Sequence, residues 1–570
     1  MHSARRCLSA VRPIVLLVLL AGCQSVQNGN TPSVARESAR PNFLLIVVDD
    51  MGLADLGSFG GEIPTPNLDR LANEGIRLTN FHAAPVCSAT RAMLLTGVDS
   101  HKAGLGNMAE DLAPNQIGMP GHEGELNQHV VTIASLLQDA GYGTFMTGKW
   151  HLGKLLETSP WAKGFDHSFT LLAGAASHYP DMQPAYSPDP KGKAPYREDQ
   201  QLLESLPAGF KYSTQFYTDR MIDYLHGTSA AQKPFFAYLA YTAPHWPLQA
   251  PAEAIARFKG RYDAGYDVLR EQRLAQQHAL GVIPANANGN LRPLRGKPWE
   301  TLSKEQQQVQ ARAMEVYAAM IDEVDRNVGR LLDALRASGR LDNTVIIFIS
   351  DNGPEGHDLD ETWPVDKFPE IRRNIDERHD FSLANMGAPN SYVLYGPNWA
   401  RAGSPAFRLH KGFPTEGGTR VPAFFHYRGF LQHRISDRFF TVKDIAPTVL
   451  ELAGLTHPAP RYAGHDIEPL TGVSMLPALT HADILDARDD RVYAGEMMGK
   501  YFVRKGQWKM IYIQEPYGPG RPQLYDLEQD PGEAQDLAAR RPDVLAALTA
   551  EWHRYVSENG VILPDWVSGY

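Results

Sequence analysis

The sequence predicts an α/β protein: a large, mostly parallel sheet flanked by helices, followed by a smaller C-terminal antiparallel sheet with a helix. Three observations carry this. Two continuous apolar runs of strand length, Asn42–Val48 (NFLLIVV) and Thr344–Ser350 (TVIIFIS), lack a polar face, as strands covered on both sides do. Between them helical and extended patterns alternate, which is the pattern of a parallel sheet covered by helices. Near the C-terminus the alternation gives way to short paired strands.

Each element has a local cause. Thr65–Gly75 (TPNLDRLANEG) opens on a Pro-containing cap, ends at Gly and places Leu68 and Leu71 on one face, which reads as a helix. Thr132–Ala140 is a second helix with Ile133, Leu136 and Leu137 inward, and strands follow at Gly143–Thr147 and Phe235–Tyr241. Between Gln306 and Ser338, Val316, Met320, Val324, Val328, Leu331 and Leu335 recur at spacings of three and four, an amphipathic helix. Tyr501–Arg504 and Trp508–Ile513 flank a Lys505-Gly506-Gln507 turn as a hairpin, and a closing helix spans Pro542–Ser557. Residues 181–210 and 252–305 are Pro-rich or polar and read as irregular surface insertions. A chain of 570 residues exceeds one compact core, so two domains are expected, 41–480 and 481–570.

Composition excludes some classes. With 43% hydrophobic and 21% charged residues the chain is an ordinary globular protein. A net charge of -10 and the absence of extended Lys/Arg runs remove the electrostatic footprint of a nucleic-acid binder.

The N-terminus reads as an export signal. Arg5, Arg6 and Arg12 precede an apolar run from Ile14 to Leu20, too short to span a bilayer. Leu20-Ala21-Gly22-Cys23 resembles the bacterial lipobox, which implies cleavage before Cys23, acylation of its thiol and a periplasmic or outer-membrane-anchored protein. Gln24 suits outer-membrane sorting, and plain secretion is the competing reading. Residues 1–23 are then a lipoprotein signal peptide and 24–40 a flexible tether. Of three cysteines, Cys7 leaves with the signal and Cys23 carries lipid, so Cys87 remains without an internal disulfide partner. It is either a small buried hydrophobe or a reactive group.

Carboxylates stand at the strand ends. Asp49-Asp50 follows the first apolar run and Asp351-Asn352 the last. In neighbouring strands these pairs converge beyond the carboxyl edge, where ligands gather. An all-oxygen set suits a hard cation, Ca²⁺ or Mg²⁺, rather than Zn²⁺. Cys87 opens a predicted helix, CSATRAMLLTG, whose free N–H groups favour a tetrahedral anion, and Arg91 adds a cation one turn on.

CSATR resembles the sulfatase motif CxPxR, whose Cys is converted to formylglycine (3-oxoalanine). Ala89 stands where most of the family has Pro. An Ala there also occurs in sulfatases matured by the radical-based route, so either a formylglycine-generating or a radical maturation enzyme is implied. VVDDMG (47–52), GKWHLG (148–153), TAPHWP (242–247), SDNG (350–353), HKGFPTEGGTRVP (410–422) and LYDLEQDPGEAQDL (524–537) are similar to further family segments. The resemblance runs from Pro41 to Asp536 and looks closest to bacterial arylsulfatases of the alkaline-phosphatase-like superfamily.

That resemblance implies the following roles. Asp49, Asp50, Asp351 and Asn352 bind the metal, usually Ca²⁺ and less often Mg²⁺. Arg91 and Lys149 orient the hydrated formylglycine from Cys87, and His151 bonds its second hydroxyl. His245 or Lys411 protonates the leaving oxygen. His82, His101, His178 and Glu416 take structural or substrate-lining places, and Arg420 pairs internally.

The chemistry stands without the name. A sulfate ester repels nucleophiles, so its site needs cations around the equatorial oxygens and an acid for the leaving group. A hydrated aldehyde offers one hydroxyl to attack and another to lose a proton and release the product. The substrate would be a small-molecule or glycan sulfate ester. Two alternatives stay open: a phosphonate monoester or phosphodiester hydrolase, and a non-catalytic binder of sulfated glycans in which Cys87 stays a thiol.

Overall fold

Phe43–Val48, a run with no polar side chain, are fully buried at the centre of the fold. Alternate residues feed two cores: Leu44, Ile46 and Val48 join one, Phe43, Leu45 and Val47 the other. Burying each large apolar side chain contributes about 1.5–3 kcal/mol, and a one-residue slip would exchange the two sets. The register is therefore strongly specified. This computed structural model describes residues 40–227, 233–289 and 296–567. The expected signal peptide, Cys23 and nearly all of the tether lie outside the described residues.

Asn42–Val48 pairs in parallel with Thr344–Ser350 on one side and Phe235–Ala240 on the other. Gly143–Lys149 and His167–Leu171 continue the parallel array. At the margins the direction changes. Ala423–His426 runs antiparallel between Thr344–Ser350 and Ile76–Leu78, with Arg434–Ser436 outside it. At the far edge Tyr196–Glu198 and Gln201–Leu202 are also antiparallel. The sheet is thus ten-stranded and mixed, with a parallel centre of five strands. That centre brings the carboxyl ends of neighbouring strands to one edge: Asp351 N–H donates to Val48 O at 3.1 Å and Asp49 N–H to Ala243 O at 3.2 Å.

The long helix spans Lys304–Ala337, opened by a capping box between Ser303 and Gln306, and buries its six expected apolar residues. It covers one face of the sheet, and the helix Cys87–Thr96 belongs to the core on the other. Helix Pro66–Glu74 and helix Ile133–Asp139 also form, the latter with Thr132 Oγ1 accepting from Ser135 N–H.

Residues 252–305 are not irregular. They contain helices Ala252–Ala256 and Tyr266–Leu280. The buried side of the second is Tyr266, Leu269, Arg270, Arg273 and Gln277, so its inward face is largely polar and carries little hydrophobic period. Residues 181–210 supply the two short strands at the sheet margin.

At the C-terminus Val492–Met497, Lys500–Lys505, Trp508–Tyr512 and Gln523–Asp526 form an antiparallel sheet. Lys505 pairs with Trp508, leaving a two-residue loop rather than the expected three, with Gly506 at φ +58° as such turns require. Helix Pro542–Asn559 packs Leu548 and Trp552 on one face. The sheet's other face, through Tyr493, Phe502 and Ile511, meets Leu409 and Phe413, beside Lys411.

Candidate active site

Cys87 is the first residue of a helix whose ten residues are all buried, and Val86 before it is extended. Its Sγ lies 3.3 Å from His151 Nδ1. Burial pushes its thiol up, yet Lys149, His151 and Lys411 outweigh burial and the net shift is downward. His151 reaches the same place because the strand Gly143–Lys149 ends there. Gly148, at φ +106°, lies so close to that strand's neighbour that a Cβ would sit 1.8 Å from Ala240 O. Asp50 and His151 hold positive φ without being glycine, +68° and +58°, a local strain found most often at functional sites.

Each expected cation ends on a carboxylate. Arg91 Nε and Nη2 donate to Asp351 Oδ2 at 2.9 and 2.7 Å, and Nη1 to Lys149 O at 2.8 Å. Lys149 Nζ lies 2.7 Å from Asp49 Oδ2, and Lys411 Nζ 3.0 Å from Asp50 Oδ1. His245 Nδ1 meets Trp246 O at 2.6 Å, and its Nε2 lies 3.5 Å from Asp50 Oδ2. The ten sequence-predicted residues therefore meet in one linked cluster around the carboxyl edge.

The oxygen set fits a hard cation. Asp49 Oδ1 and Asn352 Oδ1 are buried and have no hydrogen-bond partner among the described residues, whereas Asn352 Nδ2 donates to Asp50 Oδ1 at 2.7 Å. Burial, then neighbouring carboxylates, push Asp50 well up against the pull of Lys411; Asp351 is raised too, by burial and Asp49. For Asp49 burial is outweighed by Lys149, Arg91 and Lys411, which bring it down. Three crowded carboxylates, with one carboxylate oxygen and one amide oxygen orphaned, are what a divalent ion relieves.

Several neighbours were not legible in the sequence. Glu110 Oε1 lies 3.0 Å from His151 Nε2, and Tyr186 Oη donates to the same oxygen at 2.8 Å. Glu355 approaches Lys411 at 3.3 Å and bonds His357 at 2.6 Å. Only Glu355 had a usable signal, standing four residues beyond Asp351. Tyr186, Trp246 and Trp363 wall the cavity over Cys87.

Of the four secondary candidates, three lie elsewhere and His178 lies behind the His245 segment. His82 bonds Thr419 and Asn80, Glu416 pairs with Lys509 at 2.8 Å, and His101 sits between Asp99 and Glu496. His178 contacts His245 O at 3.2 Å and so supports that segment. Arg420 lies 3.6 Å from Glu416 and bonds Thr79 O.

The family model described as Sulfatase matches residues 41–455. An uncharacterised sulfatase of Schizosaccharomyces pombe is 43% identical over 545 residues, covering 93% of this chain and 96% of that one. An arylsulfatase of Klebsiella aerogenes is 38% identical over 443 residues, covering 77% and 92%. The solved structure of Ps i-CgsB in complex with k-i-k-neocarrahexaose superposes with a TM-score of 0.63 at 25% identity, over 93% of this chain and 95% of that one. With the match extending over most of the sequence and relatives of comparable length, the chain belongs to the sulfatase family and is a sulfuric ester hydrolase.

Proposed function

We propose that this enzyme is of the arylsulfatase type, hydrolysing a sulfate ester to a phenol or alcohol plus sulfate at a formylglycine made from Cys87. The observation that carries the reading is Cys87 at a helix N-terminus, 3.3 Å from His151 and beside buried Asp49 and Asn352, each with an orphaned oxygen. Oxidised and hydrated, position 87 supplies a hydroxyl nucleophile. Asp49, Asp50, Asp351 and Asn352 would hold Ca²⁺, with Mg²⁺ second, which supplies positive charge against a sulfate oxygen. Arg91 and Lys149 offset the charge of the carboxylates and the sulfate, and Lys411 with His245 serves the leaving oxygen. The walls formed by Tyr186, Trp246 and Trp363 suit a flat phenol or a sugar ring.

Mass analysis of the peptide containing Cys87, joined to sulfate release with and without calcium, tests this. An aldehyde and calcium-dependent release are expected. A plain Cys without activity would support a glycan binder, and a large preference for aryl phosphonate would sink the sulfatase assignment of the nucleophile. Ala89 leaves the maturation route to be read by expressing the chain with either maturation enzyme. Export and acylation at Cys23 belong to the same proposal: Cys23→Ala should move the protein from the membrane to the soluble fraction.

A further inference from the structure

Glu110 lies in the short turn Ala109–Asp111, a segment carrying no recognised motif. Its side chain is one-fifth exposed and faces an almost fully buried His151. His151 is held between two partners: Nε2 meets Glu110 Oε1 at 3.0 Å and Nδ1 meets Cys87 Sγ at 3.3 Å. A carboxylate can only accept, so Nε2 carries the hydrogen, and in the neutral ring Nδ1 is bare toward position 87. Tyr186 Oη donates to the same Oε1 at 2.8 Å, fixing the carboxylate from a second direction.

We propose that Glu110 is a positioning residue of the hydrolytic reaction: it locks His151 in the tautomer that presents Nδ1 to position 87 and balances the imidazolium formed when Nδ1 takes a proton from that side chain. The inference rests on the formylglycine reading of Cys87. In the transfer the O–H bond of the side chain breaks, its electron pair stays on oxygen and an Nδ1–H bond forms. The positive ring then faces Glu110, and the proton later returns by the same path.

The surrounding charges agree. With the thiol at position 87, burial depresses His151 while Glu110 and Cys87 raise it to about 9; conversion to formylglycine removes the Cys87 contribution and leaves Glu110 as the carboxylate that opposes burial. Glu110 is itself driven far down: burial raises it, and His151 with Tyr186 more than reverses this. Asp111 beside it is pushed up to about 7, by burial first and then by Glu110, a sign that the negative charge resides on Glu110. Among the described residues, His245 and Lys411 are the further ionisable groups with nitrogen that line the same cavity.

The test uses matured enzyme carrying ring-labelled histidine, with the His151 resonances assigned by their loss in His151→Gln. In the parent, the Nε2-protonated tautomer is expected above the His151 pKa. In Glu110→Gln, which keeps an acceptor but loses the charge, that pKa should fall by about one unit or more. The acid limb of the rate profile should move to lower pH with it, while kcat drops about 10²-fold and KM stays nearly constant. Glu110→Asp should restore much of each. An unmoved resonance in Glu110→Gln overturns the assignment, as does a rate loss that appears only in KM or only with a lowered melting temperature. If the resonance moves but the parent releases no sulfate, the formylglycine reading fails instead.

Discussion

Lys411 Nζ lies 3.2 Å from His245 Nε2, so two candidate acids share one place and only one can hold the proton between them. His245 Nδ1 donates to Trp246 O, which leaves Nε2 to accept from the ammonium. Burial, then Lys411 and Lys149, hold His245 well below the usual imidazole range. At neutral pH the mobile proton therefore belongs to Lys411.

The consequence is a leaving-group effect. Lys411→Met should reduce kcat/KM by about 10²–10⁴-fold on alkyl sulfates, whose leaving oxygen needs a proton. The loss should be far smaller on 4-nitrophenyl sulfate, and His245→Gln should cost less than Lys411→Met on both. A series of substituted phenyl sulfates measures this as a steeper dependence on leaving-group pKa; parallel lines for parent and variant would remove Lys411 from the proton path.

Metal removal should act on stability as well as on rate. Among the described residues Asp49 Oδ1 and Asn352 Oδ1 have no hydrogen-bond partner, so a cation should bind the folded state alone. At a hundred times its dissociation constant it contributes about 2.7 kcal/mol. Chelation should lower the melting temperature and abolish sulfate release, and calcium should restore both. Asn352→Ala should shrink the calcium-dependent increment; an unchanged increment would put the ion elsewhere.

The metal candidates were legible because a strand end is a local feature. Each acid pair directly follows an apolar run, and parallel register does the rest by aligning Val48 with Ser350. Glu110 was invisible for the opposite reason, since only the tertiary return of its loop brings it to His151. The sheet margin beyond Ala423–His426 escaped because Ile76–Leu78 and Arg434–Ser436, which pair in parallel, are three residues each, too short to show a period. Helix Tyr266–Leu280 escaped because an arginine replaces the expected apolar contact.

That arginine supports the third prediction. Arg273 Nη1 bonds Asp55 Oδ1 and Nε bonds Glu62 Oε2, both at 2.6 Å, in a nearly fully buried position. Asp55 also accepts from Tyr317 Oη at 2.7 Å and from Gly52 N–H at 2.8 Å, next to the strand end bearing Asp50. Arg273→Met would strand two acids, one fully buried, and should lower the free energy of unfolding by about 3–5 kcal/mol. Denaturant titration measures it. A change under about 1 kcal/mol, the size of an exposed pair, would show that water reaches the site.

Stability should depend on pH at the contact between the His101 loop and the C-terminal sheet. His101 Nε2 lies 3.0 Å from Glu496 of the strand Val492–Met497, and Nδ1 lies 3.2 Å from Asp99, which also accepts from Tyr555. Burial opposes the charge on His101, but Asp99 and Glu496 prevail and raise it to about 9 from 6.5. Because the folded value exceeds the unfolded one, the stabilisation is complete below pH 6.5 and disappears as pH rises through 9. A shift of this size corresponds to roughly 3 kcal/mol; the accompanying fall of Asp99 comes from the same contact and from Lys443. His101→Gln should therefore be less stable than the parent at pH 6, with the gap closing toward pH 10. Melting temperatures across that range decide it: a gap that stays constant means the ring is held by packing, with its proton contributing nothing.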